Sequence, residues 1–198
     1  IDAVIANAGL SSPTVATAAV NYFGAVGTLE GLRPLLAGSA SPRAVATASM
    51  ASLFPPDDPL LDAMLAGDEA TALARAGELA AAGGAEAGTI YGTSKRALAR
   101  WIRRHAATPE WAGAGIALNA VAPGVVATPM TAALTDSEEA RTALLQMVPM
   151  PLNGIFEPSA VASLLAWLTS EENAHLCGQV IFIDGGSGVV LRGAAPGG

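Results

Sequence analysis

Tyr91-Gly92-Thr93-Ser94-Lys95 precedes a run, residues 97–102, whose apolar side chains recur at the spacing of a helix. Tyr91 and Lys95 are four residues apart and therefore lie on the same face of that helix. A free phenol has a pKa of about 10 and is a poor base at neutral pH, whereas a nearby ammonium favours the phenolate. Lowering the pKa by about three units takes roughly 4 kcal/mol, and the tuned phenol can then exchange a proton with an alcohol or a carbonyl.

The pair alone is a weak signal, because a surface helix can bear a tyrosine and a lysine four residues apart by chance. The order of elements along the chain adds to it. Predicted strands lie at residues 3–6, 43–48, 116–121 and 180–184. Predicted helices lie at residues 14–36, 91–106, 137–147 and 160–168, with Asp136 a plausible cap of the third and Pro158 in the first turn of the fourth. Strands that alternate with helices favour a parallel α/β sheet.

Residues 55–88 interrupt this alternation. A proline-rich breaker, residues 55–59, is followed by two predicted short helices at residues 60–66 and 68–82, and Gly83-Gly84 closes the pair. The segment contains seven acidic residues and one basic residue, Arg75. We interpret it as an acidic, solvated helical insertion; a cation-binding patch is the less favoured alternative.

The composition excludes several classes of function. The 198 residues are 52% hydrophobic with a mean hydropathy of +0.45, and the net charge of −7 argues against a general affinity for nucleic acid. The single cysteine, Cys177, excludes an internal disulfide, and two histidines are too few for a histidine metal cluster. No apolar run reaches membrane-spanning length and no signal peptide is recognisable, so we expect no metal, no membrane and a cytoplasmic location.

Polar and glycine-containing turns follow each predicted strand. In parallel sheets, ligands bind beyond the carboxyl ends of the strands. These turns are residues 7–9, Ser49, residues 123–124 and residues 184–186. Each could be an ordinary turn, but four of them in order, with the Tyr91 helix between the second and the third, favour one shared site.

This ordered set resembles the short-chain dehydrogenase/reductase family over nearly the whole chain. The matching pieces are Asn7-Ala8-Gly9, Asn21-Tyr22-Phe23-Gly24, Ser49, Tyr91 with Lys95, Asn119 with Pro123-Gly124, Thr128-Pro129-Met130 and Asp184-Gly185-Gly186. The resemblance implies a Rossmann-like, doubly wound parallel sheet with helices on both faces. It also implies hydride transfer between a nicotinamide cofactor and a secondary alcohol or ketone.

The resemblance assigns four catalytic residues. Tyr91 would be the general acid/base, and Lys95 would lower its pKa and bind the nicotinamide ribose. Ser49 would hold the oxygen of the substrate. Asn21 would position a water molecule that links Lys95 to solvent.

The resemblance also assigns cofactor-binding residues, with NAD or NADP as the cofactor and NAD favoured. Residues 7–9 would flank the adenosine side, and residues from 123 to 128 would dock the nicotinamide. The full set is Asn7, Ala8, Gly9, Tyr91, Lys95, Pro123, Gly124, Val126 and Thr128. Asn119 and residues 184–186 would be mainly structural.

Two departures from the family pattern stand out. The family's glycine-rich phosphate turn and the position that selects NAD or NADP have no match in this sequence, and the resemblance implies that Ile1 corresponds to the start of the family's fourth strand. We therefore expect residues 1–198 to be a single, partial Rossmann-like domain that is truncated at its N-terminus. Its open sheet edge would be an aggregation hazard.

The second departure is the distance of 42 positions between Ser49 and Tyr91, which the insertion creates. In this it resembles the bacterial 3α-hydroxysteroid dehydrogenase/carbonyl reductase branch, which has a helical insertion here. The branch implies an apolar ketone or secondary alcohol, such as a steroid, as substrate, and a homodimer or homotetramer whose helix contact the insertion alters. Residues that could line an apolar pocket, or simply be core, are Met50, Leu53, Phe54, Met130, Met147 and Met150.

Other interpretations remain open at this point. Within the enzyme class, a 3-oxoacyl-type reductase is the runner-up. A binding relative without catalysis and an inert fragment are further alternatives. A serine hydrolase is disfavoured, because residues 185–189 lack the final glycine of a nucleophile elbow and no histidine is suitably placed.

Overall fold

Four parallel strands form one sheet in the computed structural model, which describes residues 1–193. The strands are β1 (Ala3–Ala6), β2 (Arg43–Thr47), β3 (Ala117–Pro123) and β4 (Val180–Ile183). They lie in the order β1-β2-β3-β4, and each pairs in parallel with the next. The predicted parallel α/β fold is confirmed, and all four predicted strands are present.

The described helices connect these strands and cover the sheet. They are α1 (Val15–Ala18), α2 (Ala25–Leu36), α3 (Asp58–Leu65), α4 (Glu69–Ala82), α5 (Gly84–His105), α6 (Glu138–Met147), α7 (Pro158–Leu168) and α8 (Ser187–Arg192). Side chains alternate between the two faces of each strand. Leu118 and Ala120 face the core that includes α2 and α5, whereas Val121 packs with Leu168 of α7 on the opposite face. The predicted placement of helices on both faces is therefore confirmed.

The first predicted helix, residues 14–36, is continuous but contains a π-helical segment. This segment, Ala19–Gly24, joins α1 to α2 and places Asn21 fully inside the protein. A π-segment widens the helix by one residue and is frequent at functional sites. The apolar periodicity predicts the helix but gives no signal for the widened turn.

The insertion is a helical pair that packs on the Tyr91 helix. Helices α3 and α4 contact each other, and both contact α5. Gly83 ends α4 with a φ of +72°, a conformation that glycine adopts at little cost, and α5 begins at the next residue. Residues 84–88, predicted as part of the insertion, therefore belong to α5, and Tyr91 lies within this helix rather than at its start.

Asp57 fastens the insertion to α5. Its carboxylate accepts hydrogen bonds from Arg75 at 2.8 and 3.1 Å and caps α3 through the backbone N–H of Leu60 at 2.9 Å. Its own backbone N–H donates to the hydroxyl of Thr93, two residues from Tyr91, at 2.9 Å. The Arg75 guanidinium holds the pKa of the Asp57 carboxyl below its usual range.

We expect Asp57→Ala to lower the free energy of unfolding by about 1–2 kcal/mol, because α3 loses its N-cap and Arg75 loses its partner. Asp68→Ala is the matched control, since Asp68 caps α4 through Thr71 at 3.0 Å but binds no arginine, and its effect should be smaller. The contribution of Asp57 is complete above the ordinary pKa of 3.8 and is lost as the pH falls through the lowered value. Urea denaturation between neutral and acidic pH measures the free energy of unfolding of the two variants and its dependence on pH. Equal losses of stability in the two variants would contradict a role for Arg75.

In the C-terminal half, some local features of the structure differ from those that the sequence predicts. The cap of α6 is Ser137, whose hydroxyl accepts from the backbone N–H of Ala140 at 3.1 Å, and not Asp136. Pro158 occupies the first turn of α7 as predicted. Helix α8 is not predicted by the sequence pattern. Across residues 1–193, every helix is too short or too polar to cross a membrane.

Candidate active site

A cavity of about 470 Å³ opens at the carboxyl ends of the strands, where the sequence predicts a shared site. Most of its exposed lining is apolar. The residues that line it are Asn7, Gly9, Thr47, Ala48, Ser49, Tyr91, Lys95, Pro123, Gly124, Val126, Thr128, Pro129, Met130, Thr131, Pro158, Val161, Ala162 and Leu165. The structure thus brings together three of the four predicted catalytic side chains and most of the predicted cofactor-binding residues.

Ser49 and Tyr91 are brought together by a close approach of two backbones. Ser49 follows β2 and caps a 3₁₀ turn, Met50–Leu53, because its hydroxyl accepts from the backbone N–H of Ala51 at 3.1 Å. A Cβ on Gly92 would lie 3.0 Å from the carbonyl oxygen of Ala51, so only a glycine lets α5 approach this turn without a shift. Gly92, which the sequence motif contains without a stated role, therefore sets the position of Tyr91 relative to Ser49.

The environment of Tyr91 differs from the one its spacing predicts. Burial raises the pKa of the phenol, and the Ser49 hydroxyl lowers it by a smaller amount. Nζ of Lys95 lies 6.0 Å from the centroid of the Tyr91 ring and donates to the carbonyl oxygen of Thr47 at 2.7 Å. In this structure the pKa of Tyr91 is therefore shifted in the opposite direction to the one that its spacing from Lys95 predicts, because burial of the phenol is the largest effect.

Lys95 is buried, with 3% of its surface exposed. Burial lowers the pKa of its ammonium to about 8, because the charged form loses hydration that one carbonyl oxygen does not replace. The side chain is therefore only partly charged slightly above neutral pH, and it can give up or take up a proton near the pH at which enzymes work.

Asn21 is held rigidly beside this group of residues. Its side-chain amide accepts from the backbone N–H of Leu10 at 2.8 Å and donates to the Leu10 carbonyl oxygen at 2.9 Å. It also donates to the hydroxyl of Ser94 at 3.1 Å, which in turn donates to the carbonyl oxygen of Tyr91 at 2.7 Å. Ser94, which lies inside the motif, thus links Asn21 to the Tyr91 helix, a role that the sequence spacing does not reveal.

Gly9 lies where Asn21 and Lys95 converge. A Cβ at this position would lie 3.3 Å from Oδ1 of Asn21 and 3.4 Å from Nζ of Lys95. Asn7 lines the cavity, and its Oδ1 accepts a hydrogen bond from the Thr47 hydroxyl at 2.7 Å. Ala8 is exposed and does not line the cavity, so the structure gives it no direct part in the site.

The loop after β3 forms the opposite wall. Gly124 is required there, because a Cβ would lie 2.9 Å from the Cα of Asp184 and 3.1 Å from the Met150 Cε. Val126 and Thr128 both line the cavity. The loop is tied by Thr131, whose hydroxyl donates to the carbonyl oxygen of Val126 and accepts from the backbone N–H of Thr128. Pattern analysis missed Thr131, since a threonine in a loop gives no local signal.

Asn119 and Asp184 serve the framework. The Asn119 amide bonds to the backbone of Leu176 and Gln179, at 2.6 and 3.0 Å, and so holds the loop before β4. The Asp184 carboxylate accepts from the backbone N–H groups of Gly186 and Gly188, at the start of α8. Both contacts agree with the structural roles that the resemblance implies.

The candidate pocket residues divide between cavity and core. Met130 lines the cavity and is 47% exposed. Met50 and Met150 are buried with Val125 in a separate apolar cluster, and Met147 is exposed away from the cavity. Leu53 lines a different cleft, and Phe54 lines neither the cavity nor that cleft. Only Met130 of the six therefore reaches the site.

Helix α7 supplies the apolar lining that sequence reasoning missed. Pro158, Val161, Ala162 and Leu165 border the cavity from one face of this helix. Their spacing is that of any amphipathic helix, so the sequence predicts a core face rather than a site wall.

Comparison with known proteins places this geometry in a family. Residues 61–188 match the family profile described as Enoyl-(Acyl carrier protein) reductase. A 3-alpha-hydroxysteroid dehydrogenase/carbonyl reductase of Comamonas testosteroni is 36% identical over 197 residues, which are 97% of this chain and 74% of that protein. A 3-oxoacyl-[acyl-carrier-protein] reductase of Thermotoga maritima is 41% identical over 98 residues, which are 50% of this chain and 37% of that protein.

The fold has close counterparts among solved structures. The 3-alpha-hydroxysteroid dehydrogenase from Pseudomonas sp. B-0831, complexed with NADH, superposes with a TM-score of 0.85 at 34% identity, covering 98% of this chain and 76% of that one. RhlG of Pseudomonas aeruginosa, in a complex with NADP, gives a TM-score of 0.69 at 26% identity, covering 95% of this chain and 66% of that one. By its profile match, its relatives and its fold, the chain belongs to the short-chain dehydrogenase/reductase family.

Proposed function

We propose that the chain catalyses the NAD(P)-dependent interconversion of an apolar ketone and the corresponding secondary alcohol, with a hydroxysteroid or a similar carbonyl compound as the substrate. The observation that carries this proposal is the convergence of Ser49, Tyr91 and Lys95 on one largely apolar cavity. Membership of the family and the similarity to hydroxysteroid dehydrogenases support the reaction class.

The proton steps belong to Tyr91 in this proposal. A raised pKa keeps its phenol protonated at neutral pH, so Tyr91 can donate a proton to a carbonyl oxygen that Ser49 holds by a hydrogen bond. Lys95, with a pKa of about 8, is the group placed to return the proton. Asn21 is the residue that would hold a water molecule on the way to solvent, and its side chain is fixed by Leu10 and Ser94 for that purpose.

The residues around the cavity fit a nicotinamide cofactor. Gly9 leaves open the space beside Asn21 and Lys95 that a Cβ would fill, and the exposed lining is largely apolar, as a flat aromatic ring requires. Lys95 and Tyr91 would hold the ribose, residues 7–9 would flank the adenosine side, and Pro123, Gly124, Val126 and Thr128 would hold the nicotinamide. When bound, the cofactor supplies or accepts the hydride.

The apolar substrate class rests on the walls of the cavity. Met130, Val161 and Leu165 present apolar side chains beside the polar pair of Ser49 and Tyr91. A site with one polar corner and apolar walls suits a rigid hydrocarbon that bears a single carbonyl or hydroxyl group.

The test is a fluorescence titration of the full chain with NADH and with NADPH, followed by turnover of matched ketones. We expect saturable binding of one cofactor and turnover of a ketosteroid and an aromatic ketone in preference to small polar ketones. Absence of cofactor binding by folded protein would contradict the reaction class. Turnover of small polar ketones alone would contradict only the substrate class.

A 3-oxoacyl substrate is the second candidate, because half of the chain is 41% identical to a 3-oxoacyl-[acyl-carrier-protein] reductase. An acetoacetyl thioester in the same assay separates the two candidates. Faster turnover of the thioester than of the ketosteroid would favour the second.

We also infer a homodimer or homotetramer in the cytoplasm. Because α3 and α4 both pack on α5, the surface of α5 that they cover does not serve as the contact between copies in this proposal. The lone, partly buried Cys177 is compatible with a reducing compartment. Light scattering before and after deletion of residues 58–82, which removes α3 and α4 and leaves α5 complete, tests the assembly. An unchanged mass would count against a part for the insertion.

A further inference from the structure

Four of the ten basic residues of this acidic chain line one cleft that is distinct from the active-site cavity. We call it the arginine cleft; its volume is about 270 Å³. Arg96, Arg100 and Arg103 come from α5, where their spacing of four and three residues places them on one face, and Arg192 comes from α8. The other lining residues are Ser52, Leu53, Ala99, Val180 and Phe182.

Two of the guanidinium groups are held in place by the framework. Arg96 donates through Nε to the carbonyl oxygen of Ser52 at 2.7 Å and through Nη2 to that of Leu53 at 3.3 Å. Arg192 donates through Nε to the carbonyl oxygen of Gly188 at 3.0 Å, and its guanidinium lies 4.8 Å from the centroid of the Phe182 ring. A planar guanidinium fixed in this way loses little further freedom when it binds an oxyanion.

Arg96 and Arg192 form no ion pair with a carboxylate within the part of the chain that the structure describes. Among residues 1–193, the hydrogen bonds of Arg96 and Arg192 go to carbonyl oxygens, whereas Arg33 and Arg75 form ion pairs with carboxylates elsewhere. Burial and the charge of Arg100 lower the pKa of Arg96, and Asp58 opposes them. Like charges four residues apart on a helix are destabilising, so an anion between them would relieve their repulsion.

The cleft also has apolar lining residues. Leu53, Val180 and Phe182 line the cleft together with the arginines, so it offers both positive charge and apolar surface. Guanidinium groups match the geometry of phosphate oxygens, and apolar surface adds affinity for the organic part of a ligand.

We propose that the arginine cleft is a binding site for a phosphomonoester, with Arg96, Arg100 and Arg192 contacting the phosphate and Phe182 and Leu53 contacting its apolar group. This site is separate from the proposed catalytic reaction. It is on the far side of the Met50–Leu53 turn, since Ser49 lines the active-site cavity and Ser52 and Leu53 line the cleft.

The test is calorimetric titration of the full chain with phenyl phosphate and with inorganic phosphate at matched ionic strength. We expect phenyl phosphate to bind saturably and more tightly than inorganic phosphate. Arg100→Gln and Arg192→Gln should each weaken binding by about tenfold or more, the usual effect of removing one charge-assisted contact. Arg96 is left intact because it also holds the Met50–Leu53 turn.

Arg141→Gln, on α6 and outside the cleft, is the matched control and should leave the affinity unchanged. Circular dichroism establishes that each variant is folded. The proposal is overturned by absence of saturable binding to the wild type, by equal affinity for the two phosphates, or by binding that survives both cleft substitutions. None of these outcomes depends on turnover or on cofactor binding.

Discussion

Tyr91→Phe is expected to lower kcat by about 10²–10⁴-fold, while it leaves folding nearly unchanged and weakens cofactor binding far less, by the loss of one hydrogen bond to the ribose. The range is that usually contributed by one general acid–base group. The phenylalanine ring keeps the packing of α5 against the Ser49 turn, but it cannot donate a proton to a carbonyl oxygen. Steady-state turnover of a ketosteroid or an aromatic ketone, together with a cofactor titration, measures the effect.

The chain provides a matched control, because it contains only one other tyrosine. Tyr22 is buried in the main core, 3% exposed, and burial raises the pKa of its phenol to about 12. Tyr22→Phe should therefore leave kcat within a small factor of the wild type. Wild-type turnover by the Tyr91→Phe protein would contradict a catalytic role for Tyr91. So would a loss of kcat in the Tyr22→Phe protein as large as that in the Tyr91→Phe protein.

Local sequence patterns were sufficient for the four strands and for most of the helices, although they missed α8 and the start of α5. The first strand, residues 3–6, has the predicted bounds, and Pro158 begins α7 as its restricted φ requires. Continuous apolar runs and helical periodicity are properties of neighbouring residues, so they can be read without any tertiary structure. The resemblance to a family then supplied the order in which these elements meet at the site.

Features that depend on distances between remote segments could not be predicted. The π-helical turn at Asn21, the approach of Gly92 to Ala51 and the contribution of α7 to the cavity leave no periodic signal. The direction of the pKa shift of Tyr91 could not be predicted either. It follows from how deeply the phenol is buried and from the carbonyl oxygen of Thr47 that binds Lys95, which the four-residue spacing does not contain.

Lys95→Met is expected to raise the free energy of unfolding at pH 7 even though it removes a residue proposed to be catalytic. Burial lowers the pKa of Lys95 from 10.5 to about 8, so the folded state disfavours its charged form. A difference of about 2.5 units corresponds to roughly 3 kcal/mol, at about 1.36 kcal/mol per unit. Methionine has a similar length and no charge. The loss of the hydrogen bond to Thr47 offsets about 1 kcal/mol, so the net gain should be about 2 kcal/mol.

The pH dependence identifies the cause of this gain. Between pH 8 and 10.5 the unfolded chain binds the proton of Lys95 more tightly than the folded chain, so the wild type gains stability as the pH rises through this window. Lys95→Met lacks that gain, and its advantage should therefore shrink by about 3 kcal/mol between pH 8 and 10.5. Lys95→Arg keeps its charge, so its free energy of unfolding should decrease relative to that of the wild type over the same interval, whatever the difference between the two proteins at pH 7. Urea denaturation of the three proteins across this range gives the slopes. If the free energy of unfolding changed with pH equally in the three proteins, the pKa of Lys95 would not be lowered in the folded state. Its proposed part as a proton carrier in the site would then lack a physical basis.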